Sequence, residues 1–176
     1  EGSIDNISRK FNKNKKDLKS PFKKSGVMIN RHVCTADVTP IYTREQKHLG
    51  HILQNAEEVS DEFYINAKDL HLWKTAKGAK KDDRITKGGF KYTYAEGAMP
   101  FPDPLNRPSR TIVTGEGGST PSRFKHVVEQ IKGKPRRLTP VELERLNGFP
   151  DNHTSGATNT KRAFFMGNAL VVGVVE

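Results

Sequence analysis

The sequence is poor in whatever would fix a protein in a membrane or an oxidising compartment. It holds one cysteine, Cys34, so no intrachain disulfide framework is open to it, which suits a reducing compartment. No run approaches the ~18 consecutive apolar residues that a spanning helix needs, and no secretory leader is visible. Hydrophobic residues make up 34% of the chain, below the roughly 45–50% of an average globular sequence, a figure that also counts glycine. The glycines at 88–89 and 115–118 do not form a Gly-x-Gly-x-x-Gly turn, which leaves out a dinucleotide loop. No His/Cys pair has zinc-ligand spacing, so no metal is expected, and His126 and His153 carry no metal or catalytic expectation. The chain opens on Glu1 rather than Met and is expected to be part of something longer.

What the sequence does have is positive charge. Its 176 residues, enough for one domain or two small ones, carry 30 Lys and Arg against 20 Asp and Glu, a net charge of +10. Such an excess favours a polyanion, nucleic acid first and an anionic membrane second, with a solvated basic surface as the plain alternative. The cations fall in three blocks: residues 9–24, residues 74–91 (Lys74, Lys77, Lys80, Lys81, Arg84, Lys87, Lys91), and residues 107–137 (Arg107, Arg110, Arg123, Lys125, Lys132, Lys134, Arg136, Arg137). None has the apolar opposite face of a membrane-surface helix. Separated by Gly- and Pro-rich turns, they read as loops that line a groove.

Local patterns give a coarse outline. Residues 1–30 read as a loose polar arm that orders near Pro21-Phe22, and His32 to Ile41 as a short strand. Leu49, Ile52, Leu53 and Ala56 share one side of an expected helix over 49–58. Residues 61–65 read as a strand, and Asn66 as the N-cap of a helix that ends before Gly78. Gly88 to Tyr94 carries aromatics at period two, a strand signal. Pro100, Pro102, Pro104 and Pro108 make 98–109 a turn-rich loop. Residues 110–114 read as a second good strand, and Phe124 to Ile131 as the start of a third.

The sharpest local signal lies at Thr139-Pro140-Val141-Glu142-Leu143-Glu144-Arg145-Leu146-Asn147-Gly148-Phe149-Pro150. Thr139 at N-cap, Pro140 at N1 and Glu142 at N3 spell a capping box. Gly148 suits a left-handed position after the helix, Phe149 the hydrophobic contact that follows, and Pro150 the stop. A last helix, capped by Thr160 and running through Val175, is apolar on every face (Phe164, Phe165, Met166, Leu170, Val171, Val174, Val175). Such a helix must be buried, and this polar chain offers it little cover. Either the chain folds over it or its natural partner surface is missing.

Residues 136–151 together with Phe165-Met166-Gly167-Asn168-Ala169-Leu170 resemble the last two motifs of DNA (cytosine-5) methyltransferases, Arg-x-Leu-x-Pro-x-Glu with a Gly-Phe-Pro turn, then Gly-Asn-Ala. Leu170 stands where the family has Val. Arg110-Thr111-Ile112-Val113-Thr114-Gly115-Glu116-Gly117-Gly118 looks like the Thr-Leu/Ile strand and glycine turn of that family's target recognition domain. The family's Phe-x-Gly-x-Gly, Pro-Cys and Glu-Asn-Val motifs are absent, and Cys34 has no Pro before it, so Cys34 is read as structural and no catalytic residue is assigned. The resemblance implies the C-terminal part of a bacterial-type enzyme. Residues 1–19 would be a basic linker from the catalytic domain, 20–137 the recognition domain, and 138–176 two helices that pack on the absent S-adenosylmethionine-dependent α/β domain. The whole would be an α+β protein, its recognition domain rich in strands and loops.

From the same resemblance, the enzyme methylates C5 of a flipped cytosine in a specific duplex sequence, as in restriction-modification systems, in the cytoplasm. This chain is expected to be inactive alone. Its partners would be double-stranded DNA and the catalytic half, in cis or as a separate subunit, with no membrane. Thr111 and Ile112 match the family's pair, whose Thr contacts the phosphate beside the flipped nucleotide. Gly117 and Gly118 would let a loop approach the groove. Base-reading chemistry selects Arg84, Arg110, Ser119, Ser122 and Arg123, with Tyr92 and Tyr94 as packing or phosphate contacts. Lys80, Lys81, Lys87 and Lys125 suit phosphates. Gly167, Asn168 and Ala169 would border the S-adenosylmethionine pocket, and Arg136, Thr139 and Glu142 would be structural. The rival reading is a non-enzymatic basic DNA- or RNA-binding module.

Overall fold

The structure, a computed structural model, describes residues 1–10, 20, 22–41 and 45–175. The cations at Lys13, Lys15, Lys16 and Lys19 and the expected ordering at Pro21 lie outside the described residues. The chain divides into two compact units, residues 1–45 and 46–176, whereas the boundaries expected from the sequence stand at 19/20 and 137/138.

The first unit contains β1 (Gly2–Ser3), α1 (Ile4–Lys10), β2 (Ser25–Ile29) and β3 (His32–Ala36). The strands form one antiparallel sheet in the order β1-β3-β2. Residues 2–10 are therefore not a loose arm. Gly2 pairs with Val33, and Ile7 and Val33 are buried, so two apolar side chains suffice where the composition is otherwise polar. The β2–β3 turn places Asn30 and Arg31 at φ 47° and 64°, the left-handed pair that a two-residue hairpin turn demands. Arg31 tolerates it with its carbonyl accepting from Ile4 N at 2.8 Å and its Nη2 donating to Asp5 Oδ1 at 2.7 Å.

The second unit opens with 3-10 turns at Leu49–Ile52, Ala56–Glu58, Asp61–Phe63 and Ala67–Asp69, the last running into α2 (Leu70–Lys77). The helix expected over 49–58 breaks into turns because groups its ladder needs are taken from outside: Gln54 N donates to Glu142 Oε1 at 2.9 Å, and the carbonyls of Ile52 and Leu53 accept from Arg145 Nη1. Leu49 N donates to Arg107 O and Gly50 N to Leu105 O, both at 2.8 Å. The strand expected at 61–65 reduces to one bridge between Tyr64 and Arg136. Asn66 does cap: its side chain accepts from Lys68 N, and α2 ends at Gly78.

Next come a hairpin of β4 (Lys80–Ile85) and β5 (Lys91–Glu96) and a second of β6 (Val128–Ile131) and β7 (Lys134–Arg136). The aromatic strand expected from Gly88 begins at Lys91, because Gly88 and Gly89 form the turn, Gly89 at φ 82°. Residues 110–114 are not a strand. They lie against a helix, at Gly167, rather than beside a strand: a Cβ placed on Gly167 would sit 2.4 Å from Thr114 N and 2.6 Å from Val113 C.

Helix α3 (Pro140–Leu146) has both ends as the sequence spells them. Glu142 N donates to Thr139 Oγ1 at 3.2 Å and Thr139 N to Glu142 Oε2 at 2.8 Å. Gly148 sits at φ 81°, with Gly148 N on Arg145 O and Phe149 N on Glu144 O, the paired bonds that close a Schellman end. The last helix is shorter than expected. α4 (Asn159–Asn168) is capped by Thr158, whose side chain accepts from Lys161 N, not by Thr160. The chain then breaks before α5 (Val172–Val175). Asn147, just after α3, explains the break. Its Nδ2 donates to Met166 O and its own carbonyl accepts from Val172 N, both at 2.8 Å, so the groups needed to continue α4 are engaged from outside.

The core gathers Leu49, Ile52, Val128, Leu138, Leu143, Ala163 and Met166. Phe164, Phe165, Leu170, Val171, Val174 and Val175 are exposed. The result is a mixed α/β architecture of short strands and helices. Among the described residues no helix is long and apolar enough to cross a membrane.

Candidate nucleic-acid interface

The body of the second unit is built on buried charge. Arg136 and Glu142 form a two-pronged pair at 2.9 and 2.7 Å. Arg136 also donates to Gln130 Oε1 at 3.0 Å, and Gln54 N donates to Glu142 Oε1 at 2.9 Å. Thr139 completes the cluster, so the three residues expected to be structural meet in one place.

A second network centres on Asp103. Its carboxylate accepts from Arg110 Nε at 2.7 Å, Arg110 Nη2 at 3.2 Å and Val127 N at 2.8 Å, with Lys77 Nζ at 3.5 Å. Burial opposes ionisation, but Arg110, the Val127 amide and Lys77 outweigh it and hold the Asp103 carboxyl below its ordinary value. Burial, opposed by Asp103, lowers Lys77. Beside it, His126 is fully buried. Its Nδ1 lies 2.8 Å from Glu116 Oε1, and Ser109 Oγ lies 3.0 Å from its Nε2.

Three of the expected DNA contacts make internal bonds in these networks. Arg110 is committed to Asp103 and to the carbonyls of Phe124 and Lys125. Lys125 is buried, its Nζ donating to Gly118 O at 2.8 Å and Thr120 O at 2.7 Å, and burial with Arg137 nearby lowers its pKa. Arg123 donates to Gly78 O at 2.7 Å and to Gly97 O, and its Nε lies 3.0 Å from Glu96. Each cation satisfies several backbone carbonyls, a demand that sequence does not display. The two glycines have close neighbours within the protein. A Cβ on Gly117 would sit 2.8 Å from Ala163 Cβ, and one on Gly118 would sit 2.9 Å from Lys125 Nζ, so both serve close packing inside the protein.

The remaining candidates differ in exposure. Thr111 and Ser119 are exposed, Ser122 is half-buried with Oγ accepting from Phe124 N at 3.3 Å, and Ile112 packs against the core. Lys80, Lys81, Arg84 and Lys87 lie on the exposed β4–β5 hairpin with Tyr92. Arg84 stacks 3.7 Å above the Tyr94 ring.

A cavity of about 400 Å³ brings Thr111 and Ile112 together with Arg110, Asn147, Gly167 and Ala169. Asn168 is exposed, and its Nδ2 donates to Phe164 O at 2.9 Å. Its Oδ1 takes no partner among the described residues. One open acceptor on an exposed helix end, next to Gly167, fits a single wall of a cofactor site. Sequence inspection passes over Asp103, Glu116, Gln54 and Asn147. Asp103 stands in a proline-rich loop, Gln54 stands alone, and Glu116 and Asn147 lie within the quoted stretches with no spacing that marks their long-range partners.

The sequence model of the family described as C-5 cytosine-specific DNA methylase matches residues 3–176, and the chain belongs to that family. The type II methyltransferase M.Sau3AI of Staphylococcus aureus is 42% identical over 154 residues, which cover 88% of this chain and 36% of that protein. The type II methyltransferase M1.ScrFI of Lactococcus lactis subsp. cremoris is 26% identical over 137 residues, 78% of this chain and 31% of that protein. The chain thus spans about a third of the length of the curated relatives it matches. No solved structure matches it. Methylation of DNA, S-adenosylmethionine as donor and restriction-modification are the chemistry and setting of this family.

Proposed function

We propose that the chain is the DNA-recognition and C-terminal segment of a DNA (cytosine-5) methyltransferase, and that the reactive cysteine belongs to a catalytic half carried in cis or as a separate subunit. Residues 20–137 choose the site, and 138–176 join the recognition domain to the catalytic half. S-adenosylmethionine supplies the methyl group. The target cytosine is turned out of the duplex, because its C5 is out of reach inside the stack. Thr111 grips the phosphate beside the flipped nucleotide with an exposed hydroxyl. Gly167, Asn168 and Ala169 form one wall of the cofactor pocket, with the Asn168 carbonyl oxygen left open to the ligand.

The observation that carries this reading is the exposed apolar surface of the last two helices and the link between them. Leu170 is 72% and Val174 82% exposed, with Phe164 and Phe165 beside them in sequence. Surface of this kind at the end of a recognition segment calls for a partner face, and the absent α/β domain supplies one. Cys34 supports the division of labour. Its Sγ donates to Glu1 Oε1 at 2.9 Å, and that bond raises the thiol pKa, the reverse of an activated nucleophile.

Mixing the chain with a separately produced half that carries the Pro-Cys and Glu-Asn-Val motifs tests the proposal. Methyl transfer to duplex cytosine should appear only in the mixture, and Leu170→Ser with Val174→Ser should weaken it. DNA binding by the chain with no transfer in any mixture would favour the plain nucleic-acid-binding module instead.

A further inference from the structure

We propose that the β4–β5 hairpin enters the major groove of the target duplex, and that Asp83, steadied by Thr93, accepts a hydrogen bond there from the amino group of an adenine or cytosine. The inference rests on the reading of the chain as the DNA-recognising part of the enzyme.

The hairpin is a ribbon with no covered face. Every residue from Lys80 to Lys91 is exposed, including Ile85 at 65% and Phe90 at 68%. A two-stranded ribbon alone is marginal in water, so this one depends on its root. Arg123 bonds both the carbonyl that precedes β4, on Gly78, and the carbonyl that follows β5, on Gly97, while Met99 N donates to Lys77 O at 2.8 Å. One guanidinium therefore holds the two feet of the ribbon together. Six residues per strand reach roughly 20 Å, and the major groove of B-form DNA is wide enough for two strands.

Charge names the occupant. Lys80, Lys81, Lys87 and Lys91 make no side-chain hydrogen bond or ion pair among the described residues, whereas Lys77, Arg110, Arg123, Lys125 and Arg136 are all spent on internal acceptors. The ribbon thus presents four free ammonium groups on a projecting element, the footprint of phosphate contacts on two flanking strands.

Asp83 breaks that pattern. Asp82 has its own cation, Arg84 Nη2 at 3.6 Å. Asp83 has none among the described residues: its carboxylate meets only the Thr93 hydroxyl, which donates to Oδ1 at 2.7 Å. The two residues are direct partners in the ladder, so they share a face, and Lys81, Ile85 and Lys91 stand on that same face. An unpaired carboxylate among lysines is repelled by phosphates and gains only from a donor. In the major groove the donors on base edges are the amino groups of cytosine and adenine. The Thr93 hydroxyl fixes the carboxylate and leaves Oδ2 open to take that bond.

The test uses the complete methyltransferase that contains this chain, with methylated cytosines mapped by sequencing across random duplex DNA. Asp83→Ala should relax the preference at one base pair of the site by roughly 5- to 150-fold, as removal of a base-reading group does. Asp83→Asn keeps an acceptor for Thr93 but turns the free oxygen into a donor, so it should shift that position towards thymine or guanine. Lys87→Ala with Lys91→Ala should lower methylation of all sites alike and reduce the salt slope of binding by about one for each phosphate no longer held. An unchanged sequence preference in both Asp83 variants overturns the proposal. So does a uniform loss at every site like that of the lysine variants. If the unaltered enzyme methylates no cytosine, the reading beneath the proposal fails and the proposal goes with it.

Discussion

Arg136 and Glu142 meet through two parallel hydrogen bonds, Nη1 to Oε2 at 2.9 Å and Nη2 to Oε1 at 2.7 Å, with neither side chain exposed. Glu142 also receives the amides of Gln54 and Thr139. It therefore ties the start of α3 to β7 and to the first turns of the unit. Removing one partner leaves a buried charge and bare amides. Glu142→Ala should cost about 3–5 kcal/mol, read as a fall in the urea midpoint. A change under about 1 kcal/mol would show that the pair is not the clamp described.

Arg123 links Gly78 and Gly97 across the root of the hairpin. Arg123→Ala should leave the core intact and release the ribbon, so hydrogen exchange should speed up across residues 80–96 and not across α3. Arg123→Lys should not restore protection, because one ammonium cannot reproduce the guanidinium fork. Uniform protection in the alanine variant would contradict this.

Asp103 and Glu144 give the pH dependence its sign. Both are buried carboxyls held below their ordinary values despite that burial, Asp103 chiefly by Arg110, the Val127 amide and Lys77, and Glu144 by Thr154 and Arg162. The unfolded chain binds protons on these groups at a higher pH than the native one. The stability they lend is fully present above their unfolded pKa values, about 4, and is lost as pH falls through the lower folded values. Urea titrations between pH 6 and pH 3 should show stability dropping on the acid side. Asp103→Asn should start less stable and drop less.

Gly167 touches the backbone of Val113 and Thr114 more closely than any Cβ allows. Gly167→Ala should cost on the order of 1–3 kcal/mol, as overpacking does, and should displace the segment that carries Thr111. Asn168→Ala, at an exposed position, should change stability by no more than about 0.5 kcal/mol and weaken S-adenosylmethionine binding by the complete enzyme. Equal thermal shifts in the two variants would refute the distinction.

What is legible in the sequence is local. The α3 caps depend on residues within ten positions of one another, Thr139 to Gly148, and the chain displays them directly. The family motifs at 136–151 and 165–170 are likewise contiguous. The hairpin strand β4 stays hidden because Lys80-Lys81-Asp82-Asp83-Arg84-Ile85 has no apolar alternation, and no core selects its register. Residues 110–114 have strand composition, but their place is set by contact with Gly167, more than fifty residues on. The internal bonds of Arg110, Arg123 and Lys125 are not legible, because charge is visible in the sequence and the carbonyls that accept from it are not. The end of α4 escapes sequence reading for a similar reason, since Asn147 interrupts that helix from beyond the end of another.

In the proposed division of labour this chain directs methylation while the reactive sulfur lies elsewhere. Duplex DNA with 5-fluorocytosine at the target, supplied with S-adenosylmethionine, tests it most directly, because after methyl transfer C5 carries fluorine in place of the proton whose loss would expel the cysteine, and the adduct stays. With the chain and its catalytic half supplied as separate polypeptides, all covalently bound DNA should run with the catalytic half, and the chain alone should trap none. DNA bound covalently to this chain through Cys34 would contradict the account.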